Sequence, residues 1–287
     1  MAPLPTPSEL LRRYGQPAKK KHGQNFLVDP NILDRIVEVA AIRPGDRVFE
    51  VGPGPGGLTT RLLHAGASVV VIETDDDLVR HLRGAFPADA PLEVVPGDAL
   101  RDALPDWLDG RAAVVANLPY HVATPILMRL VDLPDPPGRM ALMFQREVAE
   151  RIAHQGAGRA FGPLAVAVQV RFRAELAMHL RPGAFRPAPK VRSAVVRLVR
   201  RPEPLATLEV ERAARAVARR AFQQRRKMLR SSLAGLAVPD LEARLTGLGI
   251  DPASRPEALR LEDFLRMGEA FGAEAVCGVE GRGGDDG

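Results

Sequence analysis

The sequence predicts an α/β fold: a doubly wound, mainly parallel sheet followed by a smaller C-terminal α-helical domain. Three observations predict it. Short β-rich runs alternate with helical spacing, a Gly-rich turn follows the first strong run, and from about Thr207 the pattern is helical only.

Taken in order, Arg47–Val51, Ser68–Glu73, Leu92–Val95, Ala112–Asn117 and Met140–Gln145 read as buried strands bounded by turn residues. Between them Leu58–Ala65, Leu78–Ala85 and Thr124–Val131 carry helical spacing. A parallel strand must be reached by a crossover, so this alternation implies a parallel sheet with helices on its faces. Residues 171–179 and 193–200 are expected to complete that sheet. The Pro-rich start, ending in Lys19-Lys20-Lys21, reads as a flexible basic leader over 1–21. The α/β domain is then expected over 22–204, the helical domain over 205–273, and a disordered Gly-rich tail over 274–287.

Hydrophobic residues make up 46% of the 287 and charged residues 26%, which suits a soluble globular chain with a full core. The single cysteine, Cys277, leaves no disulfide framework and no Cys-based metal site. The six histidines show no ligand spacing, so no metal is expected. Without an apolar run long enough for a signal peptide or a membrane span, a cytoplasmic protein without membrane association is expected.

The net charge is +5, yet only five of the 40 basic residues are lysines, so arginine content alone carries little. Position carries more. Between Arg171 and Arg230 there are 17 basic and 4 acidic residues, against 23 and 31 in the rest of the chain. Such asymmetry points to a nucleic-acid face. Within it, Arg212, Arg215, Arg219, Arg226 and Arg230 keep near-helical spacing opposite apolar Val210, Ala214, Val217 and Ala221. A solvated helix face is the competing meaning; the scarcity of acidic residues after Glu211 favours RNA.

The first strand runs into Glu50-Val51-Gly52-Pro53-Gly54-Pro55-Gly56-Gly57, where glycines permit a sharp strand-to-helix turn and close approach of a ligand. Glu73 ends the second strand 21 residues after Gly52, where an acid can hold ribose hydroxyls. This much would also suit a nicotinamide cofactor in a Rossmann-like sheet. Two details favour S-adenosylmethionine: Glu50 stands where a cationic end would lie, and Asp98, before Ala99, could accept from an adenine amine.

The fourth strand ends in Asn117-Leu118-Pro119-Tyr120. An aryl amine is a poor nucleophile because its lone pair is delocalised into the ring. The Asn117 side-chain oxygen and the Leu118 carbonyl can accept from that amine and aim its lone pair at a methyl donor. Pro119 fixes the backbone, and Tyr120 offers a ring on which adenine can stack.

On these residues the chain resembles the bacterial small-subunit (16S) ribosomal RNA adenine dimethyltransferases. The resemblance runs from Gly23-Gln24-Asn25-Phe26-Leu27 to Arg255-Pro256-Glu257, through Phe144–Val148, Phe185–Ser193 and Phe222–Lys227. It implies Asn25 and Leu27 as cofactor-lining residues beside Gly52, Gly54, Gly56, Glu73, Asp98 and Asn117. It implies Phe185 as a base clamp opposite Tyr120, and small-subunit ribosomal RNA, in the pre-30S particle, as the partner of a monomer. Lys190, Arg219, Arg225, Arg226, Lys227 and Arg230 are the expected RNA contacts. Two departures stand out: Gly183 where the family often has Pro, expected to loosen the Phe185 loop, and Met228 where Thr is usual. The rival readings are a large-subunit RNA methyltransferase of the macrolide-resistance type and a non-catalytic RNA-binding assembly factor.

Overall fold

Val48, Val69, Val71, Val114 and Val115 are at most 1% exposed, and these β-branched residues form the middle of a seven-stranded sheet. The structure, a computed structural model, describes residues 3–19, 23–236 and 238–280. The chain divides into two compact units, Met1–Ala149 with Glu175–Arg200 and Glu150–Ala174 with Arg201–Gly287.

The first unit contains, in order, α1 (Pro7–Tyr14), β1 (Phe26–Leu27), α2 (Pro30–Val39), β2 (Arg47–Val51), α3 (Gly57–His64), β3 (Ser68–Glu73) and α4 (Asp76–Ala85). There follow β4 (Leu92–Pro96), β5 (Ala113–Asn117), α5 (Ala123–Val131), β6 (Arg139–Gln145), α6 (Arg146–Ala153), α7 (Pro163–Gln169), β7 (Phe172–Leu180), β8 (Phe185–Arg186) and β9 (Ser193–Arg200). Of these α7, with residues 150–153 of α6 and 172–174 of β7, belongs to the second unit.

The sheet order is β4-β3-β2-β5-β6-β9-β7. The pairs from β4 through β6 are parallel, and β9 runs antiparallel to β6, with Ser193 opposite Gln145. From β2 the chain steps outward to β3 and β4, then returns to the other side of β2 with β5 and β6. Between β2 and β5 the direction of winding therefore reverses, and the crevice outside their carboxyl ends is where such sheets take ligands. The expected strands and helices agree with those observed to within two residues at each end.

The expected flexible leader over 1–21 is corrected: residues 7–14 form α1. Thr6 accepts from the Glu9 N–H while Glu9 accepts from the Thr6 N–H, a reciprocal capping box with Pro7 in the first turn. Leu10 and Tyr14 are buried, and the Thr60 hydroxyl donates to the Pro5 carbonyl at 2.7 Å. The Pro-rich composition concealed a Thr-x-x-Glu start signal. Lys20 and Lys21 lie outside the described residues.

The domain boundary also differs from the expected 22–204 and 205–273. Residues 150–174 join the helical unit because α7 is apolar, and its Ala165 and Val166 share a buried cluster with Ala213, Ala214 and Val217 of α8 (Leu208–Gln223). That unit continues through α9 (Leu229–Ser232), α10 (Leu241–Gly247) and α11 (Leu261–Glu280), the last broken at Gly272. Gly268 on α11 lies so close to α8 that a Cβ there would meet the Val210 carbonyl at 2.7 Å. Residues 274–280 of the expected tail are helical, whereas 281–287 lie outside the described residues. Among the described residues no helix is long and apolar enough to cross a membrane.

Candidate active site

The turn after β2 places Gly52 and Gly54 at the sheet's switch point. Gly54 adopts φ 57°, and a Cβ there would meet the Phe26 ring at 3.0 Å, so only glycine lets that ring close over the turn. Phe26 forms one wall of a cavity of about 350 Å³. Glu73 enters it from the end of β3, Asp98 from the loop after β4, and Asn117 from the end of β5.

Glu73 is 7% exposed, and one of its oxygens accepts from the backbone N–H groups of Thr74 and Asp75 at 2.9 and 3.0 Å. Burial pushes its carboxyl above the ordinary range, opposed by those N–H groups and that of Gly54. Asp98 keeps one oxygen on the Leu100 N–H and the other 3.7 Å from Arg101 Nε. Among the described residues the charged lining is Glu73, Asp98 and Arg101, with two carboxylates and one guanidinium. Such a lining fits an adenosyl ligand carrying a sulfonium and opposes a pyrophosphate.

Asn117 carries the main geometric result. Its side-chain N–H donates to the Asn25 carbonyl at 3.0 Å, and Asn25 in turn donates from its side chain to the Gly23 carbonyl at 3.0 Å. The bond engages one of the two side-chain N–H groups of Asn117 and orients its amide, whose oxygen can accept from a ligand amine. Tyr120 lines the cavity, and its hydroxyl lies 2.5 Å from that of buried Ser193.

Most of the expected residues therefore converge: Asn25, Gly52, Gly54, Glu73, Asp98, Ala99, Asn117, Leu118, Pro119 and Tyr120 all line the cavity. Four do not line it. Leu27 and Phe185 are register partners in the antiparallel β1–β8 ribbon, and both belong to the main hydrophobic core. Phe185 is 2% exposed, so the expected base clamp is a core residue in this structure. Gly183 lies in the turn just before β8, which pairs with β1. Gly56 faces Leu82 and Phe86 rather than the cavity. Glu50 is 1% exposed and accepts from the Thr59 hydroxyl at 2.7 Å. Its carboxyl is pushed up to about 8, by burial first and by the Glu73 charge besides, the Thr59 hydrogen bond opposing. Glu50 is thus buried against Thr59 and does not line the cavity.

Sequence reasoning passed over Phe26, Ile72, Leu78 and His121, which also line the cavity. Phe26 had a signal: alternation along a strand sends it to the face opposite Leu27. His121 adjoins the tetrad, 3.1 Å from where a Gly23 Cβ would stand.

The expected RNA residues divide by exposure. Arg226 and Lys227 are exposed in the turn after α8, as are Arg219 on that helix and Arg230 on α9. Arg226 and Arg230 thus fall beyond the single helix face that their spacing implied, and Arg215 of that stripe pairs with Glu211 at 3.3 Å. Arg225 is half-buried, 3.3 Å from Glu257 and bonded to the Arg159 carbonyl. Lys190 is exposed between β8 and β9. Among the described residues no group of three or more His, Cys, Asp or Glu could hold a metal ion.

The comparisons with known proteins agree with this geometry. The family described as ribosomal RNA adenine dimethylase matches residues 15–272. A Dinoroseobacter shibae protein named ribosomal RNA small subunit methyltransferase A is 45% identical over 277 residues, 94% of this chain and 98% of its own. A protein of that name from Geobacter metallireducens is 40% identical over 91% of this chain and 98% of its own. Among solved structures, a dimethyladenosine transferase from Plasmodium falciparum superposes with TM-score 0.72 at 26% identity, covering 86% of this chain and 97% of its own. The 23S rRNA methyltransferase ErmE gives 0.70 at 29%, covering 85% and 98%. With the family matched from Tyr14's neighbour to the end of the core helices, and the tetrad standing at the cavity, this chain belongs to the ribosomal RNA adenine dimethylase family, as an S-adenosylmethionine-dependent methyltransferase.

Proposed function

We propose that the chain methylates N6 of two adjacent adenosines in small-subunit (16S) ribosomal RNA, giving N6,N6-dimethyladenosine during maturation of the small subunit. The observation that carries this reading is the Asn117–Asn25 hydrogen bond, which orients the Asn117 amide, whose oxygen can accept from an amine. The 45% identity to small-subunit enzymes, against 29% to the 23S enzyme, favours the small-subunit substrate.

S-adenosylmethionine supplies a methyl group on a good leaving group. The chain's own residues bind and orient. Glu73 holds the ribose hydroxyls and Asp98 accepts from the cofactor's adenine amine. Asn117 and the Leu118 carbonyl accept from the target N6, favouring a tetrahedral nitrogen whose lone pair faces the methyl. Tyr120 stacks on the target base, which has left its helix. Acceleration then comes from positioning and fixed dipoles. After each transfer the alkylated nitrogen sheds one proton to solvent; an amine that carries one methyl then still has one N–H to donate, so the same site serves the second transfer.

The stacking residues grip any adenine, so selection of the site falls to RNA shape, read by the exposed basic residues of the helical unit, Arg219, Arg226, Lys227 and Arg230, and by Lys190 of the first unit. The substrate is then a structured pre-30S particle, met in the cytoplasm by a monomeric enzyme. Incubating unmethylated small subunits with labelled cofactor tests this. Label should enter small-subunit RNA as N6,N6-dimethyladenosine, with short single-stranded oligonucleotides poor acceptors. Label in large-subunit RNA alone would assign the chain to the antibiotic-resistance type.

A further inference from the structure

Tyr120 and Ser193 stand 73 residues apart in sequence, yet their hydroxyl oxygens are 2.5 Å apart. The sheet explains the meeting. β5 and β6 run parallel and end at the same edge, and antiparallel β9 begins there, with its first residue Ser193 opposite Gln145, the last of β6. In sheet order β9 lies two strands from β5, a separation of about 10 Å. Tyr120, three residues past the end of β5, bridges that gap with its side chain.

Ser193 is 1% exposed, and a buried hydroxyl needs a partner; Tyr120 provides it. A tyrosine ring fixed only at its Cβ can swing about χ1, whereas one held also at its hydroxyl keeps the direction of its long axis. We infer that Ser193 is a positioning residue for methyl transfer: it holds the Tyr120 ring by its far end, so that an adenine stacked on that ring presents N6 to Asn117. The inference rests on the reading of Tyr120 as the residue that captures the base.

The test is a double-mutant cycle with a spectroscopic arm. Ser193→Ala and Tyr120→Phe break the same bond, so each should lower kcat by roughly 2- to 10-fold, the range for one neutral hydrogen bond. KM for the RNA should move less, and unchanged cofactor affinity should report an intact fold. The double variant should be no slower than the slower single variant. A Ser193→Ala loss that recurs in full in the Tyr120→Phe background overturns the inference, as does wild-type kcat in Ser193→Ala. The chain has two tyrosines, so Tyr14→Phe leaves Tyr120 as the single phenol. In that background Ser193→Ala should raise the pH at which phenolate absorbance develops, because the Ser193 hydrogen bond favours the phenolate. An unmoved midpoint overturns the inference. Should Tyr120→Ala keep full turnover, the base-capture reading itself fails and this inference falls with it. Loss in Tyr120→Ala beside an inert Ser193→Ala removes the inference alone.

Discussion

The side-chain N–H of Asn117 donates to the backbone carbonyl of Asn25 at 3.0 Å, across 92 residues of sequence. One bond thus joins the segment before β1 to the tetrad after β5 and orients the Asn117 amide. The predictions that follow start from this arrangement and move outward.

Glu73 lines the cavity, held by the N–H groups of Thr74 and Asp75, and is the residue proposed to hold the ribose. Glu73→Ala should weaken S-adenosylmethionine binding by about 1.5–3 kcal/mol, roughly tenfold or more. Calorimetric titration of the folded variant measures it, and unchanged affinity would remove Glu73 from the site.

Glu50 makes stability depend on pH. Its ordinary value of 4.5 applies when the chain is unfolded, and its folded value is about 8. Between those values the native state binds more protons than the unfolded one, so stability falls as pH rises from about 4.5 to about 8 and levels above. Glu73, also raised, acts in the same direction. Glu50→Gln stays neutral throughout and should gain on the parent as pH rises from about 5 to about 9. Urea midpoints across that range would show a constant difference if Glu50 were ionised in the fold.

Arg226 and Lys227 are exposed, whereas Arg225 pairs with Glu257 inside the helical unit. Arg226→Glu with Lys227→Glu should lower RNA affinity and flatten its salt dependence while leaving thermal stability near the parent's. Arg225→Glu should cost stability as well. Filter binding across a salt series, beside melting curves, separates the two; an unchanged salt slope in the Arg226, Lys227 variant would place the RNA elsewhere.

Met228 occupies the N-cap of α9 and offers its end no side-chain acceptor. The first N–H groups, of Leu229 and Arg230, already donate to the Ser254 and Pro252 carbonyls, so Met228→Thr should change stability by less than about 0.5 kcal/mol. A clear rise in melting temperature would mean that this end lacked an acceptor.

Much of this molecule was legible in its sequence because strand period, glycine turn and tetrad are local signals. The strands fell where β-branched runs stood between turn residues, and chain order brought Gly52, Glu73, Asp98 and Asn117 to one crevice. What failed depended on distant partners or on composition read too broadly. Helix α1 was hidden by prolines, one of which begins it. Phe185 carries a family-like motif, but its pairing with Leu27 and its burial follow from the β1–β8 ribbon, which joins segments far apart. Glu50 looked like a counter-ion by position; Thr59, one turn into α3, takes its carboxyl instead. Arg225 reads like its neighbours until Glu257 is folded against it.

The most direct test of the account is the turnover of Asn117→Ala on unmethylated small subunits, with both substrates saturating and cofactor affinity measured in parallel. In the proposed mechanism the Asn117 oxygen acts on the amine as it reacts, so turnover should fall by about 100-fold or more. S-adenosylmethionine affinity should remain within a few-fold of the parent's. Near-normal turnover in that variant would contradict the mechanism.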